Sequence, residues 1–269
     1  MRAMLLKLSR ASALPQLAPV ALAVLLLFAS GAHATEPPRR VLFVGNSLTY
    51  VNNLPAATAS LAPPGVEVDA FALPGASLND DEHNARLAGL LAHGHYTDVV
   101  FQERGGDAIC HGDGCLTAPY HLEVVRGSKV LAKMARDAGA RLYYLGTWQL
   151  NPVMEPELVK GERDIAAAMG ARYIELGETW LRLRAADPDA AWLHSDGQHP
   201  GHATTALMAV RVWHALSGER ATQPPCVGGT LYYHAPSEDG FFHVDRAARP
   251  VTCLVSPAKA ASFAMSVAD

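Results

Sequence analysis

The sequence predicts an α/β fold built on a parallel sheet. Two observations carry this. Short apolar runs rich in Val, Phe, Tyr and Ile recur along the chain, of the kind that strands buried on both faces require. Between them lie longer stretches with apolar residues at helical spacing, and strands alternating with helices argue for βαβ units. No internal repeat or low-complexity tract interrupts the pattern.

Taken in order, strands are predicted at Val41–Gly45, Val66–Ala72, Asp98–Gln102, Arg141–Gly146 and Tyr173–Leu176. Helices are predicted at Asn79–Ala92, Pro119–Ala138, Glu155–Met169 and Ala203–Leu216. In the second of these, Leu122, Val125, Val130, Leu131 and Met134 form the expected core side. After Ser217 the pattern changes to turns, an aromatic strand-like piece at Thr230–His234 and an apolar run at Val251–Val255. Residues 218–269 are read as an extension packed on the main domain, since about fifty residues rarely sustain their own core.

The first 34 residues read as a secretory signal peptide. Arg2, Lys7 and Arg10 precede an apolar run centred on VALAVLLLFA, which ends in Ala32-His33-Ala34. The unbroken apolar core, Val20–Ala29, is short for a membrane span. Cleavage after Ala34 leaves one main domain, residues 35–217, and the extension. It also leaves 19 of the 22 cations against all 26 acids, a formal charge of −7. Such a chain, with no basic stripe, is not built for nucleic acid or an anionic membrane. Four cysteines in an exported chain suggest disulfides. Three pairings are possible; proximity favours Cys110 with Cys115 and Cys226 with Cys253.

In open parallel sheets, ligands bind beyond the carboxyl ends of the strands. The residues there are Asn46 and Ser47 after the first strand, and Pro74 to Ser77 after the second. Gln102, Glu103 and Arg104 follow the third, and Thr147, Trp148 and Gln149 the fourth. HSDGQHPGH, residues 194–202, precedes the last predicted helix. This set contains what acyl transfer needs. Ser47 is the candidate nucleophile, and a serine hydroxyl needs a base to take its proton. His199 is that base. Asp196, three residues earlier, can meet its other ring nitrogen and fix the tautomer. The N–H groups of Ser47 and Gly75 are candidate oxyanion donors, with the Gln102 amide as a third. Glycine at 75 is expected to allow close approach of backbone.

GNSL at 45–48, Gly75 in LPGAS, and Asp196-Gly-Gln-His199-Pro resemble, in this order, the blocks of the SGNH (GDSL-type) hydrolase superfamily, over roughly residues 40–215. The resemblance implies a flavodoxin-like three-layer sandwich with a five-stranded parallel sheet, and a serine esterase needing no metal or other cofactor. GNSLTYVNNLP with FQE looks like a less characterised bacterial branch. Two departures stand out. Asn46 replaces the usual aspartate of GDSL, and no GxND motif exists, Gln102 standing in the corresponding place.

Asn46, Glu103, Trp148 and Gln149 are candidate pocket residues. Glu103 and Arg104 are expected to pair with each other, and Trp148 is as readily a core residue as a pocket wall. The histidines at 194, 199 and 202 fit no familiar metal spacing. The absence of a long apolar lid insertion points to short acyl groups, such as acetyl esters of carbohydrate. Lipid or lysophospholipid esters, acyl transfer to a sugar hydroxyl, and a silent carbohydrate-binding module are the alternatives.

Overall fold

The computed structural model describes residues 38–109, 119–221 and 226–266. The signal-peptide reading and the Cys110–Cys115 pairing lie outside them. The central strand is β1 (Arg40–Gly45). It pairs in parallel with β2 (Glu67–Ala72) on one side and with β3 (Asp98–Gln102) on the other. β4 (Arg141–Leu145) and β5 (Arg172–Ile174) continue the parallel sheet beyond β3. Every strand core is buried because helices cover both faces.

Alternation along β1 divides the core. Val41 and Phe43 face one cluster and Leu42 and Val44 the other. The first cluster takes apolar residues from α2 (Leu54–Ala59), α7 (Gly177–Ala186), α8 (His202–Ser217) and α9 (Pro257–Met265). The second takes them from α3 (Leu78–Asp81), α4 (Ala85–His93), α5 (Pro119–Asp137) and α6 (Glu155–Met169). The result is a three-layer sandwich. The remaining helix, α1 (Ser47–Tyr50), is a single turn at the end of β1.

The five parallel strands stand as expected, and β7 (Phe241–His243) of the extension adds a sixth, antiparallel to β2. Its anchor is the buried Asp69 of β2, which accepts from Tyr96 Oη at 2.8 Å and meets His243 Nδ1 at 2.6 Å. The helix predicted over Asn79–Ala92 is two, α3 and α4. Asn84 caps α4 by accepting from the N–H groups of Arg86 and Leu87, and this restarts the helix. Thr230–His234 is not a strand. The short β6 (Gly228–Gly229) and β8 (Thr252–Cys253) pair antiparallel and are bridged by the Cys226–Cys253 disulfide.

Candidate active site

Ser47 stands where β1 turns into α1. Asn46 makes that turn: its Oδ1 accepts from Leu48 N at 3.0 Å, and its Nδ2 donates to Ala76 O at 3.0 Å. It is therefore a buried cap that also ties down the loop after β2, not a pocket residue. The helix packs tightly on the sheet. A Cβ on Gly45 would lie 2.3 Å from Thr49 Oγ1, so only glycine fits. Ser47 is partly exposed at the first position of α1, and among the described residues its N–H makes no hydrogen bond.

The N–H of Gly75 is likewise without a partner among the described residues, and Gly75 is exposed. The reason for glycine here differs from the one expected. The residue has φ of +67°, while a Cβ would meet open space. Backbone conformation, not crowding, demands it. Arg104 Nη1 donates to Gly75 O at 3.0 Å and so fixes this loop.

The residues after β3 do not act as predicted. Gln102 is buried, accepting from Thr49 Oγ1 at 2.7 Å, with its amide nitrogen 3.5 Å from Met208 Sδ. It belongs to the core between sheet and α8, and its amide is not presented at the rim. Glu103 and Arg104 meet through the Arg104 backbone, and the Arg104 charge lowers the Glu103 carboxyl slightly. Glu103 accepts from Arg104 N at 2.7 Å and Leu78 N at 3.1 Å, while Arg104 Nε pairs with Asp107 at 2.7 Å. Burial pushes the Glu103 carboxyl up to about 8, against the pull of those two N–H groups.

After β4, Trp148 is buried and stacks on Trp180 with centroids 5.9 Å apart, so it is a core residue. Gln149 donates its N–H to Glu155 Oε2 at 2.6 Å. Thr147 donates its N–H and hydroxyl to Glu162 Oε1 at 2.7 and 2.8 Å. Burial raises both carboxyls to about 7. Sequence reasoning missed these holding roles; the available signal was a pair of acids on the buried side of α6.

Asp196 and His199 come together through a tight loop. His194 N–H donates to His199 O at 2.9 Å and Gly197 N–H to His194 O at 2.9 Å. Gly197 turns the chain with φ of +71°. Asp196 Oδ1 accepts from the N–H groups of Gln198 and His199 at 2.8 and 3.0 Å. Its Oδ2 lies 2.7 Å from His199 Nδ1 and 3.2 Å from His194 Nδ1. Its partial burial raises the carboxyl, but these four contacts outweigh that and hold it well below the usual carboxylate range. With His199 Nδ1–H donating to the Asp196 carboxylate, Nε2 carries the free lone pair. Burial lowers the neighbouring His202 ring, and His194 lowers it further.

Tyr50 and Val51, one turn beyond Ser47, line a cavity of about 560 Å³ together with Asp196 and His199. The structure thus brings the end of α1 and the Asp196–His199 loop to one cavity. Among the described residues, no hydrogen bond joins Ser47 to His199. No group of three or more His, Cys, Asp or Glu side chains among the described residues is placed to hold a metal ion.

No protein-family model matches the sequence, and no curated protein does. Solved structures do. A DUF4886 family protein from Bacteroides uniformis superposes with a TM-score of 0.57 at 14% identity, covering 85% of this chain and 92% of its own. TesA superposes at 0.50 with 22% identity, over 67% of this chain and 99% of its own. An acetylxylan esterase from Geobacillus stearothermophilus superposes at 0.52 with 13% identity, over 67% and 95%. A likeness at this identity shows the fold alone: the chain shares the α/β architecture of these proteins, as it does that of a GDSL-like lipase from Parabacteroides merdae.

Proposed function

We propose that this chain is an exported serine esterase of the SGNH, or GDSL-like, type that cleaves short-chain acyl esters of carbohydrate. The observation that carries the reading is Asp196 Oδ2 at 2.7 Å from His199 Nδ1, on a cavity shared with the helix that Ser47 begins. Ser47 Oγ attacks the ester carbonyl while His199 Nε2 takes its proton. The carbonyl oxygen becomes an oxyanion facing the N–H groups of Ser47 and Gly75. The C–O bond to the alcohol then breaks, and the imidazolium returns its proton to the departing oxygen. Water, deprotonated by His199, attacks the acyl-serine and releases the carboxylic acid. Asp196 keeps the ring in the productive tautomer and stabilises its cationic form.

The two backbone donors replace the three-donor set expected from sequence, since Gln102 is spent in the core. Export is supported by the Cys226–Cys253 disulfide, and no helix among the described residues is long and apolar enough to cross a membrane. Short acyl groups fit a cavity lined by imidazoles, a carboxylate and tyrosines better than long chains do, because a fatty acyl chain needs a continuous apolar wall. The test is hydrolysis of p-nitrophenyl esters from acetyl to dodecanoyl by the wild type and by Ser47→Ala. A fall of at least about 10³-fold in the variant, with circular dichroism unchanged, is expected. Turnover retained by Ser47→Ala overturns the triad, and a preference for dodecanoyl overturns the short-acyl reading.

A further inference from the structure

The cavity at Asp196 and His199 is not closed by the main domain alone. Tyr233 and His234, from the C-terminal extension, line it together with Tyr50 and Val51. The two tyrosines of this strap face different ways. Tyr232 packs inward against the core, its ring edge-on to Phe242 at 5.9 Å. Tyr233 points out, with half its surface exposed and its ring centroid 5.3 Å from that of His194.

The strap is held from the segment that follows the nucleophile helix. Asn52 N–H donates to Tyr232 O at 2.9 Å, and Asn53 Nδ2 donates to Thr230 O at 2.7 Å. Both asparagines are buried and both adopt left-handed backbone, with φ of +59° and +58°. Asparagine tolerates that conformation better than other non-glycine residues because its short polar side chain can hydrogen-bond locally, as Asn53 does with Ala56 N–H. Here two successive residues accept it and so hold an exposed tyrosine at a fixed place on the cavity wall.

An exposed aromatic face flanked by imidazoles and a carboxylate suits one kind of ligand. A pyranose ring offers C–H bonds on its faces and hydroxyls around its edge. A flat ring takes the first, and His194 and His234 reach the second. A fatty chain would use the aromatic face but leave the polar groups desolvated and unpaired. We propose that Tyr233 is the platform for the sugar ring on the alcohol side of the ester, and that residues 230–234 set the leaving-group specificity of the enzyme. This rests on the esterase reading above.

The experiment compares kcat/KM for acetylated xylo-oligosaccharides and glucose pentaacetate with kcat/KM for ethyl acetate, whose alcohol is too small to use the platform. In Tyr233→Ala the sugar-to-ethyl ratio is expected to fall by about tenfold or more, and in Tyr233→Trp to stay within about threefold of wild type. Because Tyr233 is exposed, the alanine variant is expected to melt close to the wild-type temperature. An unchanged ratio, an equal loss on both ester types, or a larger loss on dodecanoyl esters overturns the platform while leaving the esterase intact. Absence of Ser47-dependent turnover on every ester instead overturns the esterase reading itself, and the platform with it.

Discussion

The side-chain amide of Asn52 donates to the carbonyl oxygen of Pro200 at 2.7 Å. The bond joins the segment after Ser47 to the residue after His199, across 148 positions of sequence. It is buried, so no water replaces it if it is lost. Asn52→Ala removes it and leaves a side chain that tolerates φ of +59° poorly. We expect a loss of about 2 kcal/mol in stability. Asn52→Gly accepts the backbone but lacks the amide. If His199 is the base, both variants should lose about tenfold or more in kcat on p-nitrophenyl acetate, with a smaller change in KM, because the bond would then position the base and not the substrate. Wild-type kcat in Asn52→Gly would show that the bond positions nothing.

Gly75 separates conformation from donation. Its φ of +67° disfavours any side chain, yet a Cβ there would meet open space. Gly75→Ala should therefore cost only about 1–2 kcal/mol by chirality. If its N–H holds the oxyanion, the backbone relaxation forced by the methyl group moves a donor aimed at developing charge. A full lost donor costs about 10²–10³-fold in kcat, and a displaced one should cost at least about tenfold. Kinetics and thermal melts on one preparation check this. A stability loss with full kcat would remove Gly75 from the oxyanion site.

What was legible in the sequence was local. β3 and α6 fall within the predicted bounds because an apolar run and an acidic first turn closed by a left-handed Gly170 are short-range signals. Asp196 and His199 were readable because three residues of spacing suffice to join them. Gln102 was misread because its fate depends on Met208, which α8 brings from 106 positions away. β7 was missed as a sheet member because three residues pairing with β2 carry no pattern of their own. α7 was missed because it buries only Gly177, Thr179 and Trp180 and shows no apolar stripe. The asparagine pair was unreadable for the same reason as Gln102, its partners being Pro200, Thr230 and Tyr232.

The buried carboxyls predict how stability follows pH. Burial raises Glu103 to about 8, and Glu155, Glu162 and Asp81 to about 7. A carboxyl raised on folding stabilises the fold while it is protonated there, and that contribution is lost as pH rises through the folded value. His202 acts the other way. Its lowered ring contributes stability above the ordinary histidine value that is lost on acidification, so its effect lies below about pH 6.5. Between pH 6.5 and 8.5 the carboxyls dominate, and the melting temperature should fall. Glu103→Gln removes one titrating group and should reduce the slope between pH 7 and 8.5. A melting temperature that rises across this interval would contradict the assignment.

The extension offers a test of how far its wall is tied to the fold. Cys226 and Cys253 close a loop of 27 residues that contains Tyr233, His234 and β7. Loop-closure entropy alone makes this bridge worth about 3–4 kcal/mol. The main sheet does not need it, since β1 to β5 pair among themselves. Reduction, or paired Cys226→Ser and Cys253→Ser, should therefore lower the melting temperature while leaving Ser47-dependent hydrolysis of ethyl acetate measurable below it. Turnover of sugar acetates should fall further than turnover of ethyl acetate, because Tyr233 rests on a strap that β6 and β8 no longer clamp. Equal losses on both would mean that the Asn52 and Asn53 contacts hold the strap unaided, and the disulfide would then contribute to stability alone.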